Sequence, residues 1–304
     1  MFEKQTAAAI VFILVTGAAF SAPRTGGGRA VDPNAIAWVH ELARASEGVR
    51  YETFESASMK HPVGYAIYLP PTYEKGTSAR YPVIYWLHGI GGNEAQSSRL
   101  SSYLNGYIAS GKAEPAIMVF VNGAIWSMYL DSFDGTIMVE TSIIKELIPH
   151  IDSRYRTVAS KIGRALEGFS MGGFGALHLA FKYPDLFASV VVYAPAVCMT
   201  NMIAQSHADI FRIMLNSDSE RLTAEEPAGL AARNAEAIRL SLRIRIAVGT
   251  ADIVYQGAKW LHEYLSALSI PHEYEEVPGA KHITGNYYDA VGEKGYRFHD
   301  AARK

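Results

Sequence analysis

Short apolar, β-branched runs alternate with longer helical stretches along most of the chain, and this alternation predicts an α/β architecture. Residues 83–87, 116–121, 165–169, 190–193 and 244–248 are such runs, bounded by Gly, Pro or Asn. Strands buried on both faces read this way, and helices between them imply a mostly parallel sheet. Helices are expected over 94–110, 139–148, 171–183 and 255–268, with Pro149 and Pro184 ending the second and third. Upstream, residues 49–59 and 63–69 alternate enough for an antiparallel strand pair, which Pro70-Pro71 stops. Asp32-Pro33 reads as the cap and first residue of a short helix through about Arg44. Residues 197–240 break the rhythm, being polar and helix-prone without a buried strand. They read as a small helical cap insertion over one end of the sheet, within a single domain spanning 32–304.

Residues 7–20 form an almost unbroken apolar run, shorter than the roughly 20 residues of a bilayer span. With small residues at Ala19 and Ser21, residues 1–21 fit a cleavable secretory signal, followed by a Gly-rich linker over 22–31. A secreted or periplasmic mature chain without stable membrane insertion is expected.

The 304 residues are 49 % hydrophobic and 19 % charged, as in a globular protein with a large core. A net charge of −2 gives no basic field for nucleic acid, so none is expected as a partner. The single cysteine, Cys198, excludes an intrachain disulfide and a Cys-based zinc site. There is no H-E-x-x-H, no Asp-x-Asp calcium loop and no P-loop, so neither metal nor cofactor is expected.

Gly168-Phe169-Ser170-Met171-Gly172 matches G-x-S-x-G between an apolar strand and a small-residue helix start. Such a turn lifts the serine hydroxyl clear of the sheet and aims a helix N-terminus at developing negative charge. The hydroxyl needs a base. Two candidates for the remaining triad positions lie on loops after later strands: Asp252, after the run 244–248, and His282, after 273–277. There His282 would act as general base and then acid, with Asp252 holding its tautomer. His262 and His272 compete for the histidine role, and Asp289, Glu275 and Glu276 for the acid; His178 reads as a packed core histidine. A second Gly-rich turn, His88-Gly89-Ile90-Gly91-Gly92, follows the run 83–87. The Ile90 amide there and the Met171 amide beside the serine would form the oxyanion hole, with His88 structural.

Together Leu87-His88-Gly89-Ile90-Gly91-Gly92, Gly168-Phe169-Ser170-Met171-Gly172-Gly173, Gly249-Thr250-Ala251-Asp252 and Pro278-Gly279-Ala280-Lys281-His282 resemble the esterase D / putative esterase family. That resemblance runs from about residue 64 to 288. It implies the α/β-hydrolase fold, with a mostly parallel central sheet and helices on both faces. It also implies carboxylic ester hydrolysis without a cofactor, of the kind carried out by feruloyl and acetyl xylan esterases. Motif by motif, the family's nucleophile falls on Ser170, its acid on Asp252, its histidine on His282, and its oxyanion donors on Ile90 and Met171. The expected substrate is a small-molecule or oligosaccharide ester. An acyltransferase would use the same triad, whereas a non-catalytic binding protein on this fold would be expected to have lost a triad member. The chain departs from the family in Glu167, inside the strand feeding the serine, where a buried carboxylate calls for an Arg or Lys partner. It also lacks the tryptophans that often follow the family histidine. Residues 126–131 resemble loosely the loop lining family pockets, which makes Trp126, Tyr129 and Asp131 the expected substrate contacts.

Overall fold

The computed structural model describes residues 36–42, 46–75, 78–197 and 208–304. The expected signal, the linker, the Asp32-Pro33 helix start and Cys198 lie outside the described residues. Residues 36–42 form bends and extended chain, so the described part of the first expected helix is not helical.

The runs read as strands pair into one sheet: β1 (Val49–Ser56), β2 (His61–Tyr68), β3 (Val83–Leu87), β4 (Ile117–Val121), β5 (Arg164–Phe169), β6 (Ser189–Tyr193), β7 (Arg243–Gly249) and β8 (Glu273–Val277). Their spatial order is β1-β2-β4-β3-β5-β6-β7-β8. The β1–β2 and β2–β4 pairings are antiparallel, and the others are parallel. Every residue of β3, β4 and β6 is buried, as their unbroken apolar sequences require.

Helices cover both faces. On one, α2 (Ser101–Ala109) and the C-terminal α10 (Thr284–Ala301) pack with Phe120, Phe169 and Tyr193. On the other lie α4 (Met171–Lys182) and α9 (Tyr255–Ala267), packed with Leu166, Val190 and Ile246. The remaining helices are α1 (Glu94–Ser97), α3 (Ile148–Arg154), α5 (Ala208–Leu215), α6 (Ser219–Glu225), α7 (Pro227–Arg233) and α8 (Ala235–Ser241). The fold is the mostly parallel, two-faced α/β sheet expected.

One expected helix end is corrected. Pro149 does not end a helix: a turn at Val139–Thr141 passes through a π-helical stretch, Ser142–Leu147, into α3. The wider turns shift the hydrogen-bond register, and Pro149 falls in the first turn of α3, where its missing N–H costs nothing. The described part of the insertion is helical, with α7 packed on α4 and α9 along a helical flank of the sheet.

A buried charge cluster fastens that flank. His178 Nε2 lies 2.7 Å from Glu140 Oε2, and its Nδ1 donates to the Glu225 carbonyl at 2.8 Å. Lys182 Nζ reaches both Glu140 and Glu225 at 3.0 Å, and the Tyr183 hydroxyl donates to Glu140 at 2.5 Å. His178 is thus buried as expected, stacked on Phe174 while its nitrogens join an ionic cluster. Burial pushes the Glu140 carboxyl up, but His178, Tyr183 and Lys182 outweigh it and hold it down at about 2. Glu140, His178 and Glu225 also present ligand atoms close enough for a metal ion, but the Lys182 ammonium already supplies the positive charge between the two carboxylates. Among the described residues, no helix is long and apolar enough to cross a membrane.

Candidate active site

Strand order brings the key loops together. β3 and β5 are parallel neighbours, with Leu87 beside Gly168, so the turns leaving both strands emerge side by side at the C-terminal edge of the sheet. From β3 the chain turns one way to β4, and from β5 the other way to β6, so the order reverses between β3 and β5, the place where open α/β sheets form their sites.

Ser170 occupies the turn between β5 and α4, with φ 58° and ψ −118°. A non-glycine residue held there is strained, as a sharp strand-to-helix elbow demands. Its neighbours permit no side chain: a Cβ on Gly168 would stand 2.1 Å from the Gly172 carbonyl oxygen, and one on Gly172 would stand 1.9 Å from that of Leu87. The elbow is anchored by the Ser170 amide donating to the Tyr193 carbonyl at 3.1 Å.

The other two residues arrive from farther along the sheet. Asp252 follows β7, His282 follows β8, and the two loops are joined by the Ala251 amide donating to the Ala280 carbonyl. The Ser170 hydroxyl lies 2.8 Å from His282 Nε2, and His282 Nδ1 lies 2.8 Å from Asp252 Oδ1. The Phe169 ring packs 4.7 Å from the imidazole, fixing its plane from below. Asp252 is buried, and its Oδ1 also accepts the Val254 amide at 2.9 Å. Its Oδ2 accepts the Tyr287 hydroxyl at 2.5 Å. Burial pushes the Asp252 carboxyl up, but hydrogen bonds from His282, Tyr287 and the Val254 amide win and leave it below its ordinary value. That carboxylate can hold an imidazole with Nδ1–H toward it and Nε2 free to take the serine proton.

The competing residues are engaged elsewhere. His262 and His272 bond to each other at 2.8 Å. Glu275 is held by Arg245 and Lys294, and Glu276 accepts from Tyr255 and Tyr274. Asp289 accepts the Tyr103 hydroxyl at 2.6 Å on the outer side of α10.

The turn after β3 lies against the serine: a Cβ on Gly89 would stand 3.3 Å from Ser170 Cβ. His88 is buried, its Nδ1 donating to the Gly89 carbonyl and its Nε2 accepting the Gly123 amide. Burial lowers its pKa, and with both nitrogens used it shapes the turn, as expected. Gly91 takes φ 76° and donates to the Ile125 carbonyl at 2.8 Å. Among the described residues, neither the Ile90 nor the Met171 amide has a protein acceptor, which leaves both able to bind an oxyanion.

The loop after β4 departs from expectation. Tyr129 is fully buried over Gly123 and Gly175, and its hydroxyl donates to the His88 carbonyl at 3.1 Å. Asp131 accepts the Thr141 amide and hydroxyl, securing the turn at Val139–Thr141. Trp126 is buried too and Asp131 half-buried, so the three side chains pack the loop from within, while Ile125 and Phe133 are its exposed large apolar residues. The reason is the sharp path of the chain, with Ala124, Met128 and Tyr129 all at positive φ, which folds the large rings inward.

Glu167 finds neither Arg nor Lys. The Tyr288 hydroxyl donates to its Oε1, and His299 Nε2 lies 3.3 Å from its Oε2. Trp86 Nε1 in turn donates to Tyr288 at 2.7 Å. Arg245 lies in the same cross-strand row but one strand beyond Val191, and Glu273 and Glu275 occupy it. Sequence reading missed both Tyr287 and Tyr288. A buried tyrosine must find a partner for its hydroxyl, but nothing local says which.

A serine, a histidine and a buried carboxylate joined in this order, beside two free amides, form the constellation of acyl transfer. Residues 56–289 match the family model described as putative esterase. The chain belongs to that family. It is 33 % identical over 259 residues to an esterase of Mycobacterium tuberculosis, covering 75 % of this chain and 54 % of that protein. The chain therefore spans about half the length of that curated relative. Among solved structures, a ferulic acid esterase matches with a TM-score of 0.72 at 20 % identity, covering 84 % of this chain and 98 % of the other. An S-formylglutathione hydrolase from Agrobacterium tumefaciens matches with a TM-score of 0.72 at 18 % identity, over 86 % and 98 %. At those identities the likeness is one of fold, and this esterase-family chain has the α/β-hydrolase fold.

Proposed function

We propose that this esterase-family chain is a secreted serine carboxylesterase working through an acyl-enzyme, without a cofactor. The observation that carries the reading is the unbroken hydrogen-bond line from Ser170 through His282 to Asp252, 2.8 Å at each step. His282 takes the Ser170 proton as the oxygen attacks the ester carbonyl. The carbonyl oxygen becomes an oxyanion facing the Ile90 and Met171 amides. Collapse releases the alcohol, which takes the proton back from His282. Water then enters, loses a proton to His282 and attacks the acyl-enzyme, freeing the acid and restoring Ser170.

The apolar run at residues 7–20 supports export, which argues against a cytosolic thiol ester as substrate. Family membership and the ferulic acid esterase fold favour an oligosaccharide or small-molecule ester of the feruloyl or acetyl xylan kind. The test is Ser170→Ala, assayed on p-nitrophenyl acetate and by labelling with an active-site-directed organophosphonate. Turnover and labelling should both vanish while the circular dichroism spectrum is retained; near-normal turnover would remove the mechanism.

A further inference from the structure

Four of the eight large apolar side chains that are exposed among the described residues lie on the turns and loops that carry the candidate site or are bonded to them. Ile90 (46 % exposed) carries one of the two oxyanion amides. Ile125 (41 %) is tied to the same turn, because its carbonyl accepts the Gly91 amide. Ile253 (81 %) follows Asp252, and Ile283 (56 %) follows His282. The hydrogen-bond line joining Asp252, His282 and Ser170 spans only two steps, so the residues that carry these four side chains belong to turns and loops meeting at one centre. Singly exposed isoleucines need no explanation, but their concentration around a reactive centre does. The charged neighbours do not disperse the patch: Asp252 is buried, and Lys281 is the exposed charge beside His282.

What covers this rim follows from the chemistry. An ester carbon at Ser170 with its oxygen toward the Ile90 and Met171 amides must send its two substituents out past these side chains. Trp126 and Tyr129, the aromatics expected to meet substrate, are buried, and the exposed apolar residues that adjoin the triad and the turn after β3 are all isoleucines. We infer that Ile90, Ile125, Ile253 and Ile283 bind an extended apolar acyl chain, making the substrates neutral esters with acyl groups longer than acetyl. The inference rests on the esterase reading above and narrows it on the acyl side.

A buried methylene is worth about 0.8 kcal/mol, or roughly fourfold, and a rim that half covers the chain gives about twofold per methylene. The full chain is assayed on p-nitrophenyl acetate, butyrate and hexanoate, all below their aggregation limits. The expected result is a rise in kcat/KM of about sixteenfold over the four methylenes from acetate to hexanoate. The double variant Ile253→Asp/Ile283→Ser should bring that ratio close to one. Leu240→Ser, equally exposed (79 %) but at the opposite end of the sheet before β7, should keep the wild-type ratio. A flat or falling series with Ser170-dependent acetate hydrolysis intact overturns the inference alone. So does an unchanged ratio in the double variant, including the case where that variant abolishes a concentration-dependent dimer instead. Absence of Ser170-dependent hydrolysis of any of the three esters defeats the esterase reading, and this inference with it.

Discussion

The Tyr287 hydroxyl donates to Asp252 Oδ2 at 2.5 Å and accepts the Gly249 amide at 2.9 Å. One side chain thereby ties the C-terminal helix to the end of β7 and to the carboxylate facing His282. The ring is fully buried, packed against Phe169 and Tyr193, so the hydroxyl has no other orientation to adopt.

Tyr287→Phe removes this donor without removing the ring. Asp252 loses one of the bonds that hold its carboxyl low, so its pKa rises toward the ordinary value. Ester hydrolysis should fall by about tenfold in kcat, the scale of one lost hydrogen bond to a charged group, with KM little changed. A kcat identical to wild type would mean that Tyr287 merely packs.

Asp252→Asn and Asp289→Asn separate the acid from its nearest rival in sequence. The first should reduce kcat by about 10⁴-fold, as the equivalent change does in a serine protease, by stabilising the wrong histidine tautomer. The second should leave kcat within about twofold of wild type, since the Asp289 carboxylate is exposed and accepts from Tyr103, away from His282. Steady-state kinetics on one ester reads both, and the reverse ranking would reassign the acid.

Glu140 makes the fold's stability depend on acid. Its carboxyl is held at about 2 in the folded protein, against 4.5 ordinarily. A depressed carboxyl contributes its full stability above its unfolded value and loses it as pH falls through the folded one. Glu140→Gln should therefore cost about 3 kcal/mol at neutral pH, where it leaves His178 and Lys182 without their buried partner. The Tm difference from wild type should narrow steadily from about pH 4.5 to about pH 2. A difference independent of pH over that window would exclude the carboxylate as its source.

What could be read directly from the chain was whatever repeats locally. Apolar runs of five or six residues predict strands because burial on both faces leaves no polar position. G-x-S-x-G predicts the elbow because only glycine tolerates backbone atoms where the Cβ atoms of Gly168 and Gly172 would lie. Asp252 and His282 could be picked out because a parallel sheet presents its site on the loops that leave its strands. Those features gave the fold class and the three residues of the line through Ser170.

Tertiary structure alone decided the rest, because it depends on which distant elements touch. Tyr287 meets Asp252 across 35 residues and Tyr288 meets Glu167 across 121, and neither separation leaves a period in the sequence. The same holds for the aromatics of the 126–131 loop, which backbone turns at positive φ direct into the protein interior. The arrangement of four isoleucines around one serine likewise exists only once β3, β4, β7 and β8 share a sheet, since the residues are spread from position 90 to 283. Local pattern reports the burial of a residue's own element. The identity of its partner is set by packing between elements, where a side chain's free energy depends on what the sheet and helices bring against it.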